Sequence, residues 1–447
     1  MDKHIKNKFS RQIGAVGRKT MEKLLNISVL LVGGDILGME TVKCLSLLGI
    51  KELYILDNDK LSKKKKNELY FSSETSHTLS ENLIEFAKEL NPSLITHKIN
   101  KIDFEVIKKN KINAIIMTKI ANYNFINIDN FCYKENIKFI LGINYQLEGY
   151  IFSNFGNHSI IDKDGEPCVS GFVEEYSVKG DKIVIQVEKL DNDVLSSNGK
   201  LISGDKEHNI KIKSSSQTQI VVCNNSKTNE FLKNNNVKFL ETKETIYKKY
   251  KTFTEKSSDY TYISDTTSFP KDDKDITEFL KNLTGKDTLC IDFRKKEQFS
   301  ILSSIIAGII SQEIIKITGK YMPIDQQIYF NYNNLRGNNF YRSNTIQNCH
   351  FLDRDLIRKF KKSNIFMVGC GALGCEISKN LGMLDMATGV NSHLTITDMD
   401  IIEQSNLTRQ FLFSNKDIGK HKSTIVKEKL KMYCPKTNII ENTIEVS

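Results

Sequence analysis

The sequence predicts a doubly wound α/β protein that carries an all-β insert and is followed by the start of a second α/β unit. Three observations lead there. Short, fully apolar runs of strand length alternate with helix-length segments near the N-terminus. A group of short strands interrupts that alternation from about Tyr150. A glycine turn of one kind then occurs twice, as Val32-Gly33-Gly34-Asp35-Ile36-Leu37-Gly38 and as Val368-Gly369-Cys370-Gly371-Ala372-Leu373-Gly374.

The elements come in this order. Ser28-Val29-Leu30-Leu31-Val32 reads as a buried parallel strand, because every residue but the first is apolar. The first glycine turn is next, then a helix over Met39 to Leu48, then a strand at Leu53-Tyr54-Ile55-Leu56. Leu79 to Leu90 has helical periodicity and stops at Asn91-Pro92. Ala114 to Met117 and Phe139 to Leu141 are further strands. Ile183-Val184-Ile185 and Gln219 to Val222 belong to the all-β insert. Thr242 to Lys286 is polar and weakly periodic, which fits a short helical or irregular segment. Gln298 to Thr318 is a strong helix closed by Gly319, with Pro323 soon after. Ile328-Tyr329-Phe330 is a strand, and the Asn-rich residues 331–349 read as a linker. Ile365-Phe366-Met367-Val368 opens the second unit. The boundaries drawn from these changes are 1–147, 148–241, 242–290, 291–335 and 336–447.

Composition excludes several classes. Apolar residues make up 39% and charged residues 26%, the balance of a globular chain rather than a disordered one. Lys and Arg exceed Asp and Glu by 64 − 54 = 10, but no aromatic-basic motif accompanies the excess. It reads as Lys-rich solvated faces, including the run Lys63 to Lys66, and not as a nucleic-acid footprint. Nine cysteines occur without a C-x-x-C pair, so neither a zinc clip nor a disulfide framework is indicated. The start lacks an apolar signal core, and Ile301 to Ile310 is too short and too interrupted to span a bilayer. A cytoplasmic or nuclear protein with no membrane partner is expected.

The two glycine turns lead into different chemistry. In the second copy Thr397-Asp398-Met399-Asp400 leads to Ser405-Asn406-Leu407-Thr408-Arg409-Gln410, with Lys422 further on. Arg409 lies 11 positions after Asp398, and Lys422 lies 13 after Arg409. The same steps from Asp57 land on Glu68 and Glu81, Asn406 falls opposite Lys65, and Gly371 falls opposite Asp35. The spacing from first glycine to Asp is 29 in the second copy and 24 in the first, so an indel precedes the Asp. Gly369, Gly371 and Gly374 let a Rossmann-like turn approach a phosphorylated ligand. Asp398, at the end of the second strand, suits ribose hydroxyls. Arg409 and Lys422 add the positive charge a triphosphate needs. The glycine turn alone fits NAD as well as any nucleotide, and an NAD oxidoreductase is the remaining reading of that turn. The two cations after the acid favour ATP. Carboxylates at the matching places in the first copy would oppose a triphosphate by on the order of several kcal/mol.

With those residues in view, Thr397 to Phe413 resembles the adenylation domain of ubiquitin-activating enzymes. Phe9-Ser10-Arg11-Gln12 resembles the start of the inactive adenylation half of that family. Ile306-Ala307-Gly308, Gln312-Glu313 and Gly319-Lys320-Tyr321-Met322-Pro323-Ile324 resemble the end of that half. The insert from Phe152 to Gly156 onward resembles the first catalytic-cysteine half-domain. The Arg-Tyr-Asp-x-Gln motif expected before the second turn is not intact, and Tyr341-Arg342-Ser343 is its nearest match.

The resemblance implies ATP and Mg2+, an acyl-adenylate at the C-terminal glycine of ubiquitin or a ubiquitin-like protein, and thioester transfer to a ubiquitin-conjugating enzyme. It gives Asp398 the ribose, Ala372 a place against the nucleotide, and Asn406, Arg409 and Lys422 the phosphates. Arg11 would reach across from the inactive half. The magnesium ligand, the thioester cysteine and the ubiquitin-fold domain are expected beyond Ser447, so none of the nine cysteines, Cys168 included, takes the thioester role. The other reading is a non-catalytic scaffold or regulatory subunit of an activating complex.

Overall fold

A computed structural model describes residues 3–61, 77–120, 123–190, 194, 196–234, 236–255, 261–264, 298–336 and 352–444. The chain divides into two compact units. The larger comprises Met1–Gly156, Lys249–Thr318 and Pro323–Ser447, and the smaller comprises Asn157–Lys248 with Gly319–Met322.

The larger unit opens with three short helices, α1 (Lys3–Lys8), α2 (Ser10–Val16) and α3 (Arg18–Leu24). Strand β1 (Ser28–Val32) is next, then α4 (Ile36–Leu48), β2 (Glu52–Leu56), α5 (Leu79–Leu90), β3 (Ile95–Lys98), α6 (Phe104–Lys109), β4 (Ala114–Met117), α7 (Phe125–Lys134), β5 (Lys138–Tyr145) and β6 (Glu148–Asn154). Later in the chain β15 (Thr261–Ser264), α9 (Ser300–Lys316) and β16 (Gln327–Asn331) complete this layer. The sheet order is β15-β16-β6-β5-β4-β1-β2-β3. Strands β1 to β5 pair in parallel, and β6 runs antiparallel to β5 and β16.

The sequence explains the centre of this sheet. Val29, Leu30, Leu31 and Val32 are wholly buried, as a strand covered on both faces requires. Each such side chain stabilises the fold by about 1.5–3 kcal/mol. Helix α5 starts at a capping box, in which Thr78 Oγ1 accepts from Glu81 N and Glu81 Oε2 accepts from Thr78 N. Helix α9 is apolar on most sides because it packs against α4 as well as against β5 and β6.

The smaller unit contains β7 (Asn157–Ile160), β8 (Ser170–Lys179), β9 (Lys182–Val187), β10 (Asn198–Ser203), β11 (Lys206–Ser215), β12 (Gln219–Cys223), α8 (Ser226–Leu232) and β13 (Lys238–Thr242). Strand β14 (Ile246–Lys249) pairs with β7. The order β10-β11-β12-β9-β8-β13 closes into a barrel. Inward residues alternate along the strands: Ile183, Ile185, Val187, Leu201, Ile220, Val222 and Phe239 form its core.

The second glycine-turn unit, within the larger unit, runs α10 (Arg354–Lys361), β17 (Ile365–Val368), α11 (Ala372–Met383), β18 (Leu394–Thr397), α12 (Lys422–Tyr433) and β19 (Ile439–Asn442). Its three strands are parallel, in the order β17-β18-β19. The two copies meet through a self-complementary square of charge. Glu40 and Lys43 lie 7 and 10 positions after Gly33, and Glu376 and Lys379 lie 7 and 10 positions after Gly369. Lys43 Nζ sits 2.8 Å from Glu40 and 2.5 Å from Glu376, and Lys379 Nζ sits 2.5 Å from Glu40 and 3.5 Å from Glu376. Each lysine thus meets, across the contact, the repeat of its own helix's glutamate, as in a two-fold interface. Burial alone would raise the Glu40 carboxyl, but the Lys379 and Lys43 ammoniums outweigh it and hold it at about 2.

Several boundaries differ from the sequence reading. The change of pattern near 150 assigns residues 148–154 to the insert, yet they form β6 of the main sheet, and the compact barrel unit begins at Asn157. Strand β6 is a hairpin return of β5 and keeps its apolar character. Of the segment 242–290, expected to be helical or irregular, the described residues include β14, a turn at Thr252 to Glu255 and β15. Residues 265–297 lie outside the described residues. Helix α4 begins at Ile36 rather than Met39, directly on its N-cap Asp35. Helix α9 ends at Lys316, and Gly319 takes φ +88° two residues beyond the C-cap Ile317. Within the expected linker, Asn331 ends β16 and Asn333–Leu335 is a 3-10 turn, while 337–350 lie outside the described residues, as do Lys63 to Lys66 and Tyr341 to Ser343. Among the described residues no disulfide forms, and Cys168 and Cys223 are exposed. No described helix is long and apolar enough to cross a membrane.

Candidate functional site

The second glycine turn is built from the end of β17. Gly369 takes φ +97°, in the region that favours glycine, and its N–H donates to Thr397 O at 2.8 Å, locking the turn to the end of β18. Gly371 is the N-cap of α11, with extended backbone and no side-chain cap, so the first amides of that 12-residue helix face outward without a capping side chain. A side chain at Gly374 would place its Cβ 2.2 Å from Gly369 O, so only glycine lets the helix return this close to the turn. At Gly369 and Gly371 a Cβ would meet nothing within 4 Å among the described residues. Ala372 is the first helical residue.

Asp398 stands at the mouth of this cradle. Its Oδ2 accepts from Cys370 N at 2.5 Å and its Oδ1 accepts from Asp400 N at 2.8 Å, which orients a half-buried carboxylate beside the glycines. The Cys370 thiol between those glycines is buried and pushed up to about 12, first by desolvation and then by the Asp398 charge. It is no nucleophile at neutral pH.

The cations come on one connected loop. Asn406 ends the 3-10 turn Gln404–Asn406, and its Oδ1 accepts from Glu403 N at 2.9 Å. That leaves the amide nitrogen as the donor of this buried side chain. Arg409 N donates to Asn406 O at 3.1 Å, and Arg409 Nη1 donates to Ser405 O at 2.6 Å, so the guanidinium is braced from behind. Lys422 is the first residue of α12, and its side chain is 9% exposed. Its backbone N donates to Asp400 O at 3.0 Å and its Nζ to Asp400 Oδ2 at 2.6 Å. The structure therefore joins Gly369, Gly371, Gly374, Asp398 and Lys422 through short links, with Asn406 and Arg409 on the intervening loop. Arg11 is exposed on α2, and among the described residues it makes no hydrogen bond or ion pair to any of them. Helix α1, next to it in the chain, lies beside the Gln404–Asn406 turn.

The first copy has the same frame with its cradle filled. Gly34 N donates to Asp57 Oδ2 at 2.8 Å, the counterpart of the Cys370–Asp398 bond. A Cβ on Gly33 would lie 2.3 Å from Thr118 Oγ1 and 2.8 Å from Lys119 Cβ, and one on Gly34 would lie 2.8 Å from Leu79 Cβ. Asp57 is buried and takes Lys119 Nζ at 2.8 Å on the oxygen that also accepts from Asp59 N. Its carboxylate is fully engaged within the protein.

This changes the position-by-position comparison. Counting from the acids sets Glu81 opposite Lys422. By helix starts, Leu79 is the counterpart of Lys422, because the loop between acid and helix is two residues longer in the second copy. Glu81 caps α5 and pairs with Lys98, so its charge serves the helix terminus. Glu68 and Lys65 lie outside the described residues. The first copy also holds a cation at its acid, Lys119, which the repeat does not reveal. Its own side chains close that site more than an inverted charge does. Sequence reasoning misses Asp400 as the partner of Lys422, although the Asp-x-Asp spacing after β18 is its signal.

The sequence also matches a known family and named relatives. The chain matches the ThiF family over residues 9–350 and 341–446. It is 26% identical to "Ubiquitin-activating enzyme E1 1" of Candida albicans (strain WO-1), across 93% of this chain and 47% of that protein. It is 24% identical to the protein of the same name in Schizosaccharomyces pombe, across 93% of this chain and 46% of that protein. It is 26% identical to "Ubiquitin-like modifier-activating enzyme 1" of Dictyostelium discoideum, across 98% of this chain and 49% of that protein. The chain thus spans about half the length of the curated relatives it matches. With a duplicated glycine-turn frame and a match along most of its length, the chain belongs to the ThiF family.

Proposed function

We propose that the second copy binds ATP and that the chain contributes the N-terminal part of an enzyme that adenylates the C-terminus of ubiquitin or a ubiquitin-like protein. One observation carries the reading: Asp398 is fixed at the glycine turn by Cys370 N and is linked through Asp400 to Lys422, with Asn406 and Arg409 on the loop between them.

Asp398 accepts from the ribose hydroxyls, and the uncapped amides of the first turn of α11, from Ala372 on, face the nucleotide. Asn406 donates to a phosphate oxygen through its amide nitrogen. Arg409 and Lys422 stabilise the charge that builds on the α-phosphate and the departing pyrophosphate as the carboxylate attacks. Lys422 exchanges Asp400 for phosphate when nucleotide enters. Arg11 approaches from the first copy, on the side where α1 already lies against the Gln404–Asn406 turn. Magnesium travels with ATP as substrate. The thioester step and transfer to a conjugating enzyme belong to the whole enzyme, and none of the cysteines described here is assigned to them. The first copy serves as a structural partner of the second.

Titration calorimetry of the chain with ATP and Mg2+ tests this. Saturable binding that Arg409→Ala weakens by about tenfold or more supports it. Binding unaffected by Arg409→Ala, or tighter binding of NADH than of ATP, refutes it.

A further inference from the structure

We propose that Lys43, a residue of the first copy, is a positioning residue for the Asn406–Arg409 loop of the second. The role as a phosphate-contacting loop rests on the nucleotide reading above; the contact itself does not. Lys43 Nζ lies 4.7 Å from the centroid of the Phe411 ring. Phe411 is 6% exposed and stands two residues after Arg409. A dehydrated ammonium over an aromatic face is a strong contact, since water no longer competes for the charge. Lys43 cannot drift, because Glu40 and Glu376 hold its 2% exposed side chain at 2.8 and 2.5 Å.

The residues that follow are buried as well, Leu412 at 2% and Phe413 at 4% exposed. The end of the loop is thus interior, and α4 of the first copy holds it at Phe411. This fixes where the chain goes after Arg409. The brace from Arg409 Nη1 to Ser405 O then sets the guanidinium against a backbone that cannot slide. The first copy thus acts on the second through a residue outside the nucleotide site proposed above. A displacement of about 1 Å at a phosphate donor is enough to matter, on the scale of about a hundredfold in rate in unfavourable cases.

The test uses the whole chain and three variants. Phe411→Leu removes the ring and leaves the charge square intact. Lys43→Met removes the ammonium, and Lys43→Arg restores a cation over the ring. Hydrogen exchange without nucleotide is read by mass spectrometry over residues 404–413, with β18 and α12 as references. Exchange in 404–413 should rise about tenfold in Phe411→Leu and Lys43→Met with the references unchanged, and return towards wild type in Lys43→Arg. ATP affinity should fall about fivefold or more in Phe411→Leu. Unchanged exchange in folded Phe411→Leu, or an equal rise in 404–413 and the reference elements, would overturn the proposal. If the wild-type chain does not bind ATP, the nucleotide reading falls and the exchange comparison alone decides the role of Lys43.

Discussion

Glu40→Gln perturbs the contact between the two copies at its most buried point. The square of Glu40, Lys43, Glu376 and Lys379 is electrically neutral, and the Glu40, Lys43 and Lys379 side chains are 1%, 2% and 0% exposed. The substitution leaves it with one uncompensated positive charge. Lys379 retains Ser304 Oγ at 2.9 Å and Glu376 at 3.5 Å, and Lys43 retains Glu376 at 2.5 Å. Removing one partner of a buried pair costs about 3–5 kcal/mol. Glu376 is 36% exposed and can share the surplus charge with water, which places the cost near the lower end, at about 3 kcal/mol. Lys379→Met should cost a similar amount, and the double variant should cost less than the sum by about 1–2 kcal/mol.

The pH dependence has a definite sign. Glu40 ionises lower in the folded protein than in the unfolded chain, so its stabilisation is present above the unfolded carboxyl value of 4.5 and is lost as pH falls towards about 2. Glu40→Gln should flatten that acid limb. Urea unfolding monitored by hydrogen exchange resolves these effects, with the barrel unit as internal reference. A cost below about 1 kcal/mol for the single variants, or strict additivity in the double, would refute the view that the square holds the two copies together.

Three further outcomes are expected. Gly371→Asp should leave stability within about 0.5 kcal/mol, since the backbone there is ordinary and none of the described residues lies within 4 Å of the new Cβ, yet it should weaken ATP binding by about tenfold or more; calorimetry and thermal unfolding read the two effects separately. Gly374→Ala should instead destabilise the second unit by about 1–3 kcal/mol, because the new Cβ would lie 2.2 Å from Gly369 O, and unchanged urea unfolding would contradict it. Burial pushes Asp129 up to about 6 despite hydrogen bonds from Phe253 N and Asn154 Nδ2, so its own contribution to stability should be fullest below the ordinary aspartate value of 3.8 and fall by on the order of 3 kcal/mol as pH rises through about 6; Asp129→Asn should abolish that component of the slope in pH-dependent unfolding.

Much of the fold is legible in the sequence because its central strands are buried on both faces. Ser28–Val32 and Ala114–Met117 coincide with the observed strands, and Leu79–Leu90 coincides with a helix whose cap and stop are local signals. The position of Gly371 opposite Asp35 also holds, since both are N-caps in matching turns. Failures arise where meaning depends on distant partners. Residues 148–154 join the main sheet through β5 and β16, and no local pattern marks that choice. The match of Glu81 to Lys422 assumes equal loops, and a two-residue difference moves the register. The side chains that fill the first cradle come from the end of β4 and from α5, far from the glycines in sequence. The charge square is hidden for the same reason: Glu40 and Glu376 look like ordinary helix-face acids until the helices meet.

If only the second of the two matching cradles takes a nucleotide, the place where a nucleotide reacts with the chain decides the matter. Photolabelling with a photoreactive ATP analogue, with labelled peptides mapped by mass spectrometry, reads that place. Saturable labelling, competed by ATP and confined to peptides from 365–422, is the expected result. Labelling centred on 28–61 or 114–120, or label that excess ATP does not displace, would contradict it.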